Sequence, residues 1–168
     1  NTFINTPNTP AGTYYWHVQA KDAAGNFSAW TTPWKIIVDN TAPAATFTFP
    51  TPGPTATSFT VNFSEKVKAA EAKNPANYFL NNWPGAGGSG NLTGHATVVY
   101  NTSSHIATVT FTTPGWYISA EQQWGVQNIH DLAGNLLSPN PTTAYSTNLV
   151  NPTAPGTPTT TSPNNSYA

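Results

Sequence analysis

From residue 12 onward the chain alternates apolar and polar positions with a period of two. In GTYYWHVQAKD, Tyr14, Trp16, Val18 and Ala20 fall on one face and Tyr15, His17, Gln19 and Lys21 on the other, the pattern of a half-buried strand. The same alternation, filled with threonine and aromatic residues, predicts further strands at residues 34–39, 45–49, 58–63, 95–100, 106–111 and 122–129, each bounded by Pro, Gly or Asn. Trp16 and Trp124 take inward positions in this reading and are expected in a core. One segment interrupts the series. Residues 64–80, SEKVKAAEAKNPANYFL, hold five of the eleven charged residues, and Asn74 before Pro75 predicts a capped short helical turn. The pattern gives an all-β fold class, an antiparallel β-sandwich.

Breaks in the alternation divide the chain. DNTAPA at residues 39–44 and NPTAPGTPTTTSP at residues 151–163 are proline-punctuated and carry no alternation. Proline blocks ladder pairing and holds a chain extended, so both read as linkers. They share Thr-Ala-Pro, which suggests modules in a row. The expected division is residues 1–43 as the end of one module, 44–148 as a complete sandwich, and 149–168 as a linker or the first strand of a following module.

A second repetition is KDAAGN at residues 21–26 and HDLAGN at residues 130–135. Asp and Asn raise the question of a metal, and Gly that of a turn. Each copy comes after a strand, where a few residues must reverse the chain. Asp22 and Asp131 can accept backbone N–H bonds two or three residues on, Gly25 and Gly134 supply positive φ, and Asn26 and Asn135 tolerate the left-handed region. A calcium loop needs more oxygen ligands than either copy offers, so turn chemistry is the reading and no metal is expected there. Asp39, at the module junction, is left as a weak metal candidate without acidic neighbours in the sequence, and chelation is expected to leave stability unchanged.

Charge narrows the partners. With no arginine, five lysines and a net charge of −1, no basic stripe exists to neutralise phosphates, which argues against nucleic acid. No apolar run reaches the length of a membrane-spanning helix, and membrane insertion is not expected. Cysteine and methionine are both missing, which excludes thiol chemistry and suits an extracellular protein. No cofactor is implied. GAGGSG at residues 85–90 fits a dinucleotide fingerprint by letter, but Trp83-Pro84 before it and a strand after it make it a surface loop. Ser89 lacks the second glycine of a nucleophile elbow, since residue 91 is Asn. The four histidines lie far apart, and Glu65 and Glu121 have no paired carboxylate in sequence. Trp83, beside the Gly-rich loop, is the candidate for contact with a glycan.

Three segments carry a family resemblance. NFSEKV at residues 62–67, NPANYFL at 74–80 and NIHDLAGNLL at 128–137 resemble a bacterial Ig-like domain of the S-layer and surface-protein type, which has a "FSEPV" segment early and a "DxxGN" segment late. Lys66 departs from that pattern. Residues 11–43 resemble the C-terminal half of a fibronectin-type-III-like or Ig-like repeat, in which Tyr14 matches the tyrosine of the tyrosine corner. The tail resembles the start of another repeat. The resemblance implies a non-enzymatic structural module of an extracellular or cell-surface protein, working in spacing and assembly. Neighbouring modules would be its partners, or other copies joined head to tail with residues 151–168 as strand donor. A carbohydrate-binding accessory module of a secreted glycan-active enzyme and an adhesin module stay open as alternatives.

Overall fold

The computed structural model describes residues 9–81, 90–119 and 121–146. Within residues 9–43, β1 (Gly12–Trp16) and β2 (Trp34–Val38) form a two-stranded antiparallel sheet with Trp16 opposite Trp34 and Tyr14 opposite Ile36. Both faces are wet. Trp16 is 41% exposed and Ile37 65%, so the expected half-buried strand, with Trp16 in a core, is corrected. Alternation predicts that a strand has an apolar face; a core also needs a second layer, and none lies opposite this sheet among the described residues. The side chains pair with each other instead. Trp16 meets Trp34 edge-on at 4.4 Å and His17 stacks on Trp30 at 4.2 Å. The Tyr14 hydroxyl donates to the carbonyl of Pro10 at 2.8 Å, the bond a corner tyrosine makes.

Residues 45–145 build two four-stranded antiparallel sheets packed face to face. The first runs in the order β3 (Ala45–Thr48), β4 (Ser58–Phe63), β8 (Ile106–Phe111), β7 (Ala96–Asn101). The second runs β10 (Thr142–Tyr145), β9 (Gln123–Val126), β5 (Tyr78–Asn81), β6 (Gly90–Asn91). Strict alternation decides which side chains point between them. Phe59, Val61 and Phe63 of β4 and Ala107, Val109 and Phe111 of β8 are buried, facing Tyr78, Leu80, Trp124 and Val126 of the other sheet. Trp124 packs at 5.1 Å from Phe59 and 5.3 Å from Phe111. Each such large side chain contributes roughly 1.5–3 kcal/mol by burial. Gly125 leaves room for its cross-strand neighbour: a Cβ there would overlap the Phe79 ring.

The 64–80 segment is where the strand reading missed an element. It contains a short helix α1 (Ala69–Ala72) and a 3₁₀ turn, Pro75–Asn77, capped as expected by Asn74, whose side chain accepts from the Ala76 N–H at 3.1 Å. Strand β5 then starts at once with Tyr78. The polar and alanine-rich residues before it hide it, and β10 is hidden the same way behind the SPNP segment before it. Trp83, Ser89, most of the Gly-rich loop and the tail from 149 lie outside the described residues.

Candidate metal centre

The linker at residues 39–44 forms no strand, as expected, but it is bonded to the sandwich. The Asp39 carboxylate accepts from the Thr41 N–H at 3.0 Å, turning the chain inward. Pro43 is buried, and its carbonyl accepts from the Ser138 N–H at 2.9 Å. Ala44 and Ser64 exchange two bonds: Ala44 N–H to Ser64 Oγ and Ser64 N–H to the Ala44 carbonyl, both 2.9 Å. This ties Asp39 to the start of the 64–67 segment.

The second copy of the repeated motif closes the site. Asp131 Oδ1 accepts from the N–H groups of Gly134 (2.6 Å) and Asn135 (2.7 Å), and Oδ2 from Asn135 Nδ2 (2.7 Å). Gly134 takes φ +101°, which a residue with a Cβ adopts only under strain. Asn135 is not in the left-handed region that its residue type suggests; its amide instead clamps Asp131 and the Asp39 carbonyl, the latter at 3.0 Å. On the other flank Val67 bridges Asp131, and the Lys68 N–H donates to the His130 carbonyl at 2.8 Å. Glu71 Oε2 accepts from the His130 N–H at 2.7 Å and lies 3.0 Å from its ring Nδ1. These bonds fix Glu65, two residues before Val67, beside the turn.

As a result carboxylate oxygens of Asp39, Glu65 and Asp131 lie within 4.8 Å of one another, Asp131 buried and the other two half-buried. The expectation that Asp39 lacks acidic neighbours is thereby corrected. Two of the chain's other five Asp and Glu side chains, Glu65 and Asp131, meet it, from positions too far apart in sequence to form a motif. In the sequence Glu65 reads as a family-motif residue and Asp131 as a turn residue. No signal in the sequence places the three together: only Asp39 lies at the junction, and Glu65 and Asp131 belong to separate segments far along the chain.

The electrostatics are uneven. Burial raises the Glu65 carboxyl above its ordinary range, and the charges of Asp39 and Asp131 raise it further against a smaller opposing effect of His105. Burial alone would also raise Asp131, but the bonds from the Asn135 side chain and from the backbone N–H groups of Asn135, Gly134 and Ala133 together hold it low. Three hard oxygen donors sharing a half-buried corner suit Ca²⁺, which takes six to eight oxygens in flexible geometry, carbonyls and waters completing the shell. The first copy of the motif has the same Asp–Asn bonds, Asp22 accepting from the Asn26 N–H at 2.8 Å and from its amide at 2.9 Å, but the N–H of Gly25, at φ +95°, donates to the Asp22 carbonyl at 3.2 Å. It is exposed, and among the described residues no other carboxylates gather around it.

No protein-family model matches the sequence, and no curated protein matches it. Among solved structures, the chain is similar to the N-terminal part of the bacterial S-layer protein SbsC, at 21% identity over 61% of this chain and 22% of that one, with a TM-score of 0.46. Domains 1–6 of surface layer protein SbsC align at 20% identity over 63% of this chain and 13% of theirs, with a TM-score of 0.47. This chain thus spans less than a quarter of those structures. Likeness at this level carries no argument about function, which has to come from the residues.

Proposed function

We propose that this chain is a non-enzymatic spacer and assembly segment of an extracellular bacterial surface protein, whose module junction is stiffened by Ca²⁺. The observation that supports this reading best is the meeting of Asp39, Glu65 and Asp131 where the linker enters the sandwich. One ligand comes from the linker and two from the sandwich, so a cation there joins the residues before Asp39 to the sandwich after it. Without a cation, three like charges repel at the same place. The two-stranded sheet fits the same picture. With Tyr14, Trp16, Trp34 and Ile36 exposed, a pair of strands is marginal in water and open to completion. Its covering layer would be supplied by a neighbouring module or another copy of the chain. No helix among the described residues is long and apolar enough to cross a membrane.

The test is calorimetric titration of the full chain with CaCl₂. One site per chain is expected, with a Kd on the order of 10⁻⁴–10⁻³ M as for extracellular calcium modules, weakened tenfold or more by Asp39→Asn or Glu65→Gln. Absence of saturable heat, or heat that survives both substitutions, would remove the metal from the reading. Small-angle scattering carries the spacer part: with Ca²⁺ the particle should hold one extended shape, and with chelator spread over many.

A further inference from the structure

The two sheets of the sandwich end in the edge strands β3, β7, β10 and β6, and an open edge offers its backbone N–H and C=O groups to any other strand. Three of these edges are guarded. β3 is four residues long between Pro43 and Pro50, β10 is four residues long and follows Pro141, and β6 has two residues. β7 has no such guard. Its six residues, Ala96–Asn101, pair with β8 in an unbroken register from Phe111 to Ile106, without a bulge, a proline or a charged side chain, and β8 is uncharged as well. Short length, proline, lysine and bulges are what keep natural edges apart, so β7 is the bare edge of the sandwich. It is also held firmly. The buried Tyr100 hydroxyl accepts from the Val67 N–H at 3.1 Å, and Asn101 Oδ1 closes the hairpin by accepting from the N–H groups of Ser103 and Ser104 at 2.9 and 3.2 Å.

The phase of the ladder decides which groups are on offer. Phe111 donates its N–H to the Thr57 carbonyl on the β4 side, and antiparallel residues alternate between bonded and non-bonded pairs, so the bonded pairs between β8 and β7 are Thr110 with Thr97 and Thr108 with Val99. Ala96, Val98 and Tyr100 therefore turn their N–H and C=O groups away from β8. The Ala96 N–H is taken by the Leu92 carbonyl at 3.1 Å; among the described residues no backbone bond reaches the outward groups of Val98 and Tyr100. What is left is self-complementary. When a second β7 lies antiparallel alongside, centred on Val99, Val98 of each copy faces Tyr100 of the other, and each such pair exchanges both of its N–H···O=C bonds. Val99 then meets Val99 of the second copy as a non-bonded pair, the position where side chains come closest, with Cα atoms about 4.5 Å apart. Val99 is 69% exposed, so this contact takes apolar surface out of water without touching the core. A two-fold centred there uses every free group of Val98 and Tyr100 on both sides, and no charge on either strand opposes it.

We infer that β7 is a docking edge for a second copy of this chain, paired antiparallel about a two-fold axis at Val99, so that the first sheets of the two copies join into one continuous sheet. This contact is lateral, and it depends neither on a cation at the carboxylates nor on what covers the two-stranded sheet. The experiment follows backbone amide hydrogen exchange of the full chain over a dilution series in chelator, with sedimentation velocity on the same samples. The amides of Val98 and Tyr100 are expected to exchange fast in dilute protein and to slow several-fold as dimer forms, with a Kd on the order of 10⁻⁴ M, as for small transient interfaces. Val99→Lys sets two like charges opposite each other on the outer face and should weaken both dimer and protection at least tenfold. Val98→Pro, which removes an outward N–H and no bond to β8, should do the same, while Thr46→Lys, on the exposed side of β3, leaves both unchanged. Exchange at Val98 and Tyr100 that ignores concentration, or protection that survives Val99→Lys, overturns the inference; so does a dimer that forms with these two amides unprotected, since its contact then lies elsewhere.

Discussion

The two copies of D-x-A-G-N are nearly the same turn in different company. In both, an aspartate accepts from an asparagine four residues later and a glycine stands at φ near +100°. The Asp22 copy is exposed on the two-stranded sheet; the Asp131 copy is packed against the sandwich, bridged to Val67 and within 4.8 Å of two other carboxylates. Local chemistry makes the turn. Its surroundings make the site.

The largest way to break this comparison is to remove each aspartate. Asp131→Ala leaves three donors without their charged acceptor and should cost about 2–4 kcal/mol in chemical denaturation. Asp22→Ala should leave the sandwich transition where it was, since water replaces what it loses. Equal effects would mean that burial does not separate the copies. Next comes the cation. At free Ca²⁺ well above Kd, the sandwich should gain about 1.5–2.7 kcal/mol over the chelated protein, from linkage, read as a higher Tm. The sequence alone predicts no response to chelator, so a flat result would restore that reading. Gly134→Ala should then cost about 1 kcal/mol or more through its positive φ, in Ca²⁺ and in chelator alike.

The smallest effect concerns Glu65 and needs its sign worked out. Its folded-state pKa is raised, so its contribution to stability is full below its unfolded value and is lost as pH rises through the folded one. Asp131 is the opposite case: held low, it contributes above its unfolded value and loses that contribution as pH falls through the folded one. Chelated protein should therefore lose some stability as pH climbs from about 4.3, the ordinary glutamate value. Glu65→Gln should flatten that loss, raising Tm at neutral pH by about a degree or two in chelator while removing the gain from Ca²⁺. A substitution that lowers Tm in chelator would show that Glu65 is structural rather than a repelling charge.

Much of the fold was legible because strands announce themselves locally. Phe59, Val61 and Phe63 alternate in sequence and are buried in space, and Asn74-Pro75 carries its own cap. Trp16 departs from its expected place for an instructive reason: alternation gives the direction of a side chain and says nothing about what stands opposite it. The short strands β5 and β10 escape because four residues beside prolines, alanines and charges show too little alternation to stand out. The carboxylate corner is illegible as a set, since nothing in positions 39, 65 and 131 taken singly says that they meet. Long-range bonds bring them together: the pairing of Val67 with Asp131, the two bonds between Ala44 and Ser64, and the amide of Asn135.

The bonds that seat the linker also decide how the molecule carries tension. A pull along the chain from β2 first reaches Asp39, whose carbonyl is held by Asn135, and then Pro43, held by Ser138. Both anchors belong to the segment after β9, near the far end of the sandwich in sequence. Load therefore passes from the linker across to the last part of the chain before it reaches β3. That strand is an edge strand, paired on one side only, with β4, and would be the first to peel if it took the force directly. Bypassing it turns the β3–β4 edge ladder into a spectator, and any cation bound at the carboxylates strengthens the bypass rather than the strand.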